Sequence, residues 1–416
     1  MDIPIIVVCY NNYLYVKNTL EQILKINPEY YKNINILNNN STCLDTLKFL
    51  NDVDVKIINN KENTGPWVDT LRNRHIYDTL PNKFILTDPD LKFNENISSN
   101  FIEILSRLSD FYGVEKIGFA LKISDFENFY SGVYHMNETI ADWEKQFWRF
   151  PIINDTYEMY NAMIDTTFCL CNKNFANGTC IRVAGNFTAQ HLPWYVDNDI
   201  CNLYENYSYC LKSGQISTMS NVIMSHIKHN YFIILKNCET FLIENDKFLS
   251  FWKNPDLIEN KVFDLIDEYL FKDKIIIDIG SMTGIAAMFG SRKSKHAYII
   301  ETDEESFTIM SRNFKNNCRN YTLINNNILN YDDIESILKI YKIDFFDVSL
   351  IKINIGGEEE NILNELLDIN VKYGLKIYIS IYYVLWKDKN LNRFTLLDSY
   401  IKNEIISNPL YLSILL

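Results

Sequence analysis

KFILTDPD, residues 83–90, decides how the first part of this chain is read. Lys83–Thr87 is a short apolar run, and the chain turns polar at Asp88-Pro89-Asp90. An apolar run of this length closed by turn residues reads as a buried strand. Working back, Ile3–Cys9, Asn33–Leu37 and Val55–Ile58 read as further strands. Residues 13–26, 44–50 and 67–78 carry helical spacing between and after them. Strands alternating with helices imply a parallel sheet covered on both faces, with ligands beyond the carboxyl ends of the strands. Asp88 would then stand where a ligand crevice opens.

A second αβ rhythm follows. Residues 251–271 (FWKNPDLIENKVFDLIDEYLF) are amphipathic and helical toward their end. KIIIDIGSMTG (274–284) is strand then turn, and AYIIETD (297–303), YTLINNNI (321–328), VSLIKINI (348–355) and 375–386 read as strands. Helices are expected at 307–314 and 332–341. Between the two rhythms, residues 110–235 are less regular and rich in aromatics, as in ADWEKQFWRFP (141–151) and HLPWY (191–195). The expected organisation is α/β throughout, with one domain over 1–235 and a second over 236–416.

Composition bounds the function. Of 416 residues, 40 are basic and 53 acidic, a net charge of 40 − 53 = −13. That balance argues against nucleic acid or an anionic membrane as the main partner. No apolar run approaches the roughly 18–20 residues of a membrane span, and residues 1–10 lack a signal peptide's basic start. A cytoplasmic protein is expected, in a host cytoplasm or virus factory if the source is a virus. Nine cysteines without a CxxC suggest reduced thiols rather than a disulfide frame or zinc site. His226 and His229, three apart, have no nearby Cys to complete such a site. The 51 asparagines and 13 glycines suit an AT-rich genome, as in some giant viruses, protists or bacteria.

The DxD at 88–90 carries the first chemistry. Asp52-Val53-Asp54 and Asp197-Asn198-Asp199 share the pattern, but only Asp88 ends a buried strand. Two carboxylates across an extended turn suit Mn²⁺ or Mg²⁺, which prefer oxygen ligands and keep substrate phosphates as further ligands. A turn-forming or helix-capping Asp fits the same pattern.

Residues 3–12 (IPIIVVCYNN), NNNST (38–42), Asn63-Thr64-Gly65-Pro66 and TDPD (87–90) together resemble a GT-A glycosyltransferase of the family-2 type. YNAMIDTTFCL (160–170), IRVAG (181–185) and HLPWY (191–195) are similar to the sugar-transferase domain of chlorella-virus rhamnosyltransferases and some bacterial relatives. The resemblance spans roughly residues 1–230 and implies a nucleotide-sugar donor and a carbohydrate acceptor. It implies Tyr10, Asn11, Asn39 and Asn63 at the nucleotide, with Asn38 where relatives often carry Asp. It implies Asp88 and Asp90 on the metal and diphosphate, and His191 as a further metal ligand or phosphate donor. Asp165 is the candidate general base toward the acceptor hydroxyl; a turn Asp before TTFCL fits equally. Trp143, Glu144 and Trp148 are candidates for an acceptor platform or for core packing.

In the second half, Asp278-Ile279-Gly280 followed by Gly284 gives DxGxxxG after a strand. Glu301 ends the next strand, where an acid can hold ribose hydroxyls, and Asn327 follows the third. The absence of GxGxxG disfavours a nicotinamide cofactor and points to S-adenosylmethionine. Residues 240–390 resemble the FkbM-type methyltransferases, which often modify sugar hydroxyls. Lys352, Gly357 and Glu359 in LIKINIGGEEENIL (350–363) match that family's signature; Asn354 replaces its Asp, and Tyr382 stands where a His is expected. An amide cannot accept a proton as a carboxylate does. The resemblances imply two Rossmann-like domains: a GT-A sugar transferase, and a methyltransferase that O-methylates the sugar or only supports the first domain. Two alternatives stand beside this: a sugar O-methyltransferase with a carbohydrate-binding first domain, and a viral surface protein with decayed sites.

Overall fold

A computed structural model of the chain describes all residues except 1, 69–72, 213–217, 245–248, 250–252, 254–259, 356–358, 360–361, 383–410 and 416. The chain divides into two compact units, Met1–His229 and Asn230–Leu416.

The first unit is built on ten strands: β1 Ile5–Cys9, β2 Ile34–Asn38, β3 Lys56–Asn59, β4 Lys83–Thr87, β5 Leu91–Phe93, β6 Lys116–Leu121, β7 Pro151–Ile152, β8 Met159–Asn161, β9 Cys169–Asn172 and β10 Cys180–His191. Their order is β3-β2-β1-β4-β9-β6-β10-β8-β7, with β5 against β10. The four strands β1–β4 are parallel, as the alternating pattern requires. All five residues of β1 are buried, the composition of a strand covered on both faces. The strands beyond β4 are mixed. Strand β9 runs antiparallel to both β4 and β6, and β5 and β8 run antiparallel to β10. Helix Phe101–Tyr112 buries Phe101, Ile104, Leu105 and Leu108. Phe93, Phe119 and Phe168 meet in a ring cluster with Phe101, Phe119 stacked on Phe168 at 4.7 Å.

Of the expected helix over 67–78, residues 69–72 lie outside the described residues, and Arg74–Tyr77 is helical. Gly65 turns the chain at φ +80°, Trp67 stays half exposed, and only Val68 of that pair is buried. The nine cysteines are all free thiols. Cys169 and Cys171, two apart on β9, point the same way into the core, 3.9 Å apart.

The second unit opens with a hairpin, β11 Tyr231–Lys236 and β12 Glu239–Glu244. The split at 229/230 keeps this hairpin whole. Asn317 pins it by accepting from the Leu242 N–H and donating to the Leu242 carbonyl. Six strands follow: β13 Ile275–Ile279, β14 His296–Glu301, β15 Tyr321–Asn325, β16 Val348–Ile353, β17 Lys376–Tyr382 and β18 Tyr411–Leu415. Their order is β15-β14-β13-β16-β17-β18, parallel except for β18. Strand order reverses between β13 and β16, so the crevice of a doubly wound sheet opens at their carboxyl ends. Apolar clusters cover both faces of the sheet. In the amphipathic 251–271 stretch, Asn260–Tyr269 is a helix. Residues 383–386 and Gly357 lie outside the described residues, as does the side chain of Tyr382.

At the crevice, Gly280 adopts φ +73°, and a Cβ there would lie 1.7 Å from the Asn354 carbonyl oxygen. The left-handed backbone alone costs a non-glycine residue about 1–2 kcal/mol, and the overlap adds to it. Gly280→Ala should therefore lower the unfolding temperature of the second unit by several degrees. An unchanged thermal midpoint would contradict the close approach of β13 and β16.

Candidate functional site

In the first unit the site begins where β4 ends. Asp88 is pulled against the loop before β9: its N–H donates to the Thr166 carbonyl at 2.8 Å, and the Thr166 hydroxyl donates to its carboxylate. The Leu192 N–H donates to the Asp90 carbonyl at 2.8 Å, and the Thr19 hydroxyl donates to the Pro89 carbonyl. The DPD turn is thus bound to helix Tyr13–Ile26 and to the end of β10. Burial, then the charge of Asp90, push the Asp88 carboxyl well above the usual carboxylate range, and the Thr166 hydroxyl acts against both. His191, the last residue of β10, places Nε2 3.6 Å from Asp90 Oδ1. Asp90 Oδ1, His191 Nδ1 and Trp194 Nε1 are buried without hydrogen-bond partners. Each such atom costs roughly 1–3 kcal/mol, which marks this corner as shaped for something other than itself.

A cavity of about 410 Å³ opens beside these groups, lined by Asp88, Asp165, His191, Tyr134, Trp143 and Trp194 among others. It brings together three of the expected site residues, Asp88, Asp165 and His191. Asp165 also braces its own turn, accepting from the N–H and hydroxyl of Thr167. Burial raises its pKa, but the Arg182 charge and the backbone N–H groups of Thr166 and Thr167 outweigh this and hold the carboxyl below the usual range. Arg182 sits inside β10, 2% exposed, and donates to Glu144 and to the Met163 carbonyl. Its guanidinium also lies 4.1 Å over the Phe147 ring. Burial pushes Glu144 up to about 7, against the opposing pull of Arg182. Glu144 and Trp143 do line the cavity, whereas Trp148 packs on Tyr160 and is not part of the lining.

The nucleotide candidates lie in neighbouring strand-end turns and do not line this cavity. Asn11, at φ +56°, accepts from the Thr42 and Cys43 N–H groups and donates to the Thr42 hydroxyl. Asn38 donates to Asn59 and accepts from the Ser41 N–H. Asn39 donates to the Gly65 carbonyl and accepts from Asn60 and Thr64. Asn63 accepts from the Gly65 N–H, and the Tyr10 N–H donates to Asn12. These amides knit the ends of β1, β2 and β3 together. Among the described residues, no group of three or more His, Cys, Asp or Glu side chains is spaced to hold a metal ion. His191 therefore does not complete a preformed ligand set with Asp88 and Asp90. A cation suits these two carboxylates if phosphate and water supply the other ligands, the usual habit of Mg²⁺. The unpartnered Asp90 Oδ1 fits such a role.

In the second unit a cavity of about 340 Å³ lies at the β13/β16 switch point. Gly280, Glu301, Asn327 and Asn354 line it, together with Met282 and Asn326. Glu301 accepts from the Met282 N–H at 2.6 Å, and from the Thr302 and Asp303 N–H groups at 2.9 Å. It joins the glycine turn to the end of β14. Asp278 and Gly284 are not in the lining. Asp278 forms a buried ion pair with Lys352, Nζ to Oδ1 2.8 Å, and accepts from the Ser281 hydroxyl. Gly284 packs against Met310 and Phe314 as it opens helix Ile285–Lys293. Glu359 is buried and accepts from the Ile355 N–H. The two motifs, 74 residues apart, thus meet through Asp278 and Lys352.

Arg182, Tyr134 and Thr166 were not singled out by the sequence. The one signal for Arg182 is a charged residue within the apolar run CIRVA, which requires a buried partner. Tyr134 and Thr166 carry no local signal.

No protein-family model matches the chain, and no curated protein matches it. Among solved structures, an rRNA methylase from Streptococcus thermophilus is 20% identical, covering 38% of this chain and 93% of that one at a TM-score of 0.29. A protein of Streptococcus mutans in complex with SAH is 17% identical over 37% and 94% of the two chains, with a TM-score of 0.27. Precorrin-6y C5,15-methyltransferase from Geobacter metallireducens GS-15 is 18% identical over 38% and 78%, with a TM-score of 0.26. These likenesses are weak. The class of each unit, α/β with a parallel-rich sheet, follows from its own strand order.

The raised pKa of Asp88 has a consequence for stability. A carboxyl raised in the folded state favours folding below its ordinary value near 3.8 and loses that contribution as pH rises through the folded value. At pH 8, far above the ordinary value, the group therefore opposes folding. Asp88→Asn should raise the thermal midpoint of the metal-free protein at pH 8, and the gain should vanish near pH 4. A lowered midpoint at pH 8 would contradict the raised Asp88 carboxyl.

Proposed function

We propose that the chain is a two-site enzyme of glycan assembly. The first unit transfers a sugar from a nucleotide donor to a carbohydrate acceptor, and the second binds S-adenosylmethionine and methylates. The observation that carries the proposal is the convergence, in each unit, of distant motif residues on the side of the sheet where its parallel strands end. In the first these are Asp88, Asp165 and His191; in the second, Gly280, Glu301 and Asn327.

In the first unit, Asp88 and Asp90 would hold Mn²⁺ or Mg²⁺ with the donor diphosphate. A divalent cation there offsets the charge growing on the departing diphosphate. Asp165 is the proposed base for the attacking hydroxyl if the reaction inverts: Arg182 keeps it ionised and able to accept a proton, at the cost of basicity. The Arg182–Glu144 pair holds this wall rigid, and the aromatic residues around it exclude water.

In the second unit, Gly280 lets the backbone approach a cofactor, and the Glu301 carboxylate, with three N–H groups already on it, keeps an Oε2 lone pair for a ribose hydroxyl. S-adenosylmethionine supplies an electrophilic methyl group. Asn354, at the cavity wall where the resembled family carries Asp, supports a site that holds cofactor better than it removes a proton.

Two experiments separate the sites. The Asp88→Ala/Asp90→Ala double variant should lose metal-dependent turnover of nucleotide sugars by at least about a hundredfold while keeping wild-type S-adenosylmethionine affinity by calorimetry. Unchanged turnover would sink the metal assignment. Glu301→Gln should weaken S-adenosylmethionine binding roughly tenfold and leave sugar transfer intact. Equal affinity in wild type and variant would remove the cofactor from this cavity.

A further inference from the structure

Trp194 combines features that no role assigned so far accounts for. It is 2% exposed, yet its indole N–H has no hydrogen-bond partner. The ring is fixed on several sides: Phe129 lies 5.5 Å away, His191 4.8 Å, and the Trp194 carbonyl accepts from the Tyr130 N–H. Trp194 lines the first unit's cavity together with Tyr134, His191 and Asp165. Its ring meets the half-buried Tyr134 ring edge to face, centroids 6.4 Å apart, and both line this cavity. A rigid donor, a phenol and a carboxylate therefore border one space.

The ligand chemistry that satisfies this set is a hydroxyl. Its oxygen accepts from the indole N–H while its own hydrogen donates to a carboxylate. An anionic oxygen would leave the carboxylate repelled, and an apolar group would leave the indole unpaired. We infer that Trp194 is a positioning residue: its indole N–H, with the Tyr134 hydroxyl beside it, holds the acceptor's attacking hydroxyl in front of Asp165. This rests on the sugar-transferase proposal above and adds to it the group that orients the nucleophile.

The test uses the full chain and compares two fates of one donor. Transfer from nucleotide sugars to a panel of methyl pyranosides is measured beside hydrolysis of the same donor by water, with UDP binding in Mn²⁺ followed by calorimetry. Trp194→Phe keeps the ring packing and removes only the N–H. It should lower kcat/KM for the pyranoside roughly tenfold, mainly through KM, while hydrolysis and UDP affinity stay within about twofold. Tyr134→Phe should show the same acceptor-selective loss, and it decides the matter if Trp194→Phe does not fold. Equal loss of transfer and hydrolysis, or no loss of either, overturns the inference with the sugar-transferase proposal intact. A wild-type protein that neither binds UDP nor turns over any donor overturns that proposal, and the inference falls with it.

Discussion

The first unit is organised around two carboxylates that repel each other. Asp88 and Asp90 follow the buried strand β4 and are themselves half-buried, where a charge is costly and a second like charge makes it costlier. The surroundings hold the pair rather than relieve it. Thr166 donates to Asp88, Thr19 and Leu192 fix the turn through its carbonyls, and Asp90 Oδ1 is left without a donor. Such an arrangement persists when the rest of the fold over-determines it, and it is a recurrent property of functional sites.

Around that pair the unit separates duties by chemistry. Amides of Asn11, Asn38, Asn39 and Asn60 hold the strand-end turns in place with neutral hydrogen bonds. At the cavity wall a buried charge pair is used instead, where Arg182 faces Glu144 and lowers the Asp165 carboxyl. The second unit uses one buried ion pair for a different end. Lys352 and Asp278 join β16 to β13 directly behind the turn that Gly280 makes, so the switch point is tied on its core side and open on the cavity side. Truncating one member of such a pair would strand a buried charge, at a cost of about 3–5 kcal/mol.

Most strands were legible because their residues are buried on both faces, so IIVVC, KFILT and KIIID carry the pattern without tertiary help. Over 67–78 the apolar spacing agrees with the helix at Arg74–Tyr77, while Trp67 ahead of it stays half exposed. Asp88, Gly280 and Glu301 could be found because strand ends are where doubly wound sheets place ligands. Arg182 could not, since its partner Glu144 lies 38 residues away and only folding joins them. Asn11 and Asn39 show a further limit: an asparagine that could contact a nucleotide and one that braces a turn look the same until their hydrogen bonds are counted.

The central claim is that the Asp88–Asp90 pair makes the first unit a cation-dependent nucleotide-sugar site. Isothermal titration of a panel of nucleoside diphosphates (UDP, GDP, dTDP, ADP) into the full chain, with and without Mn²⁺, tests it most directly. Binding of one of them in Mn²⁺ that disappears on chelation is the predicted result. Affinity indifferent to Mn²⁺, or no binding of any of them in either condition, would contradict it.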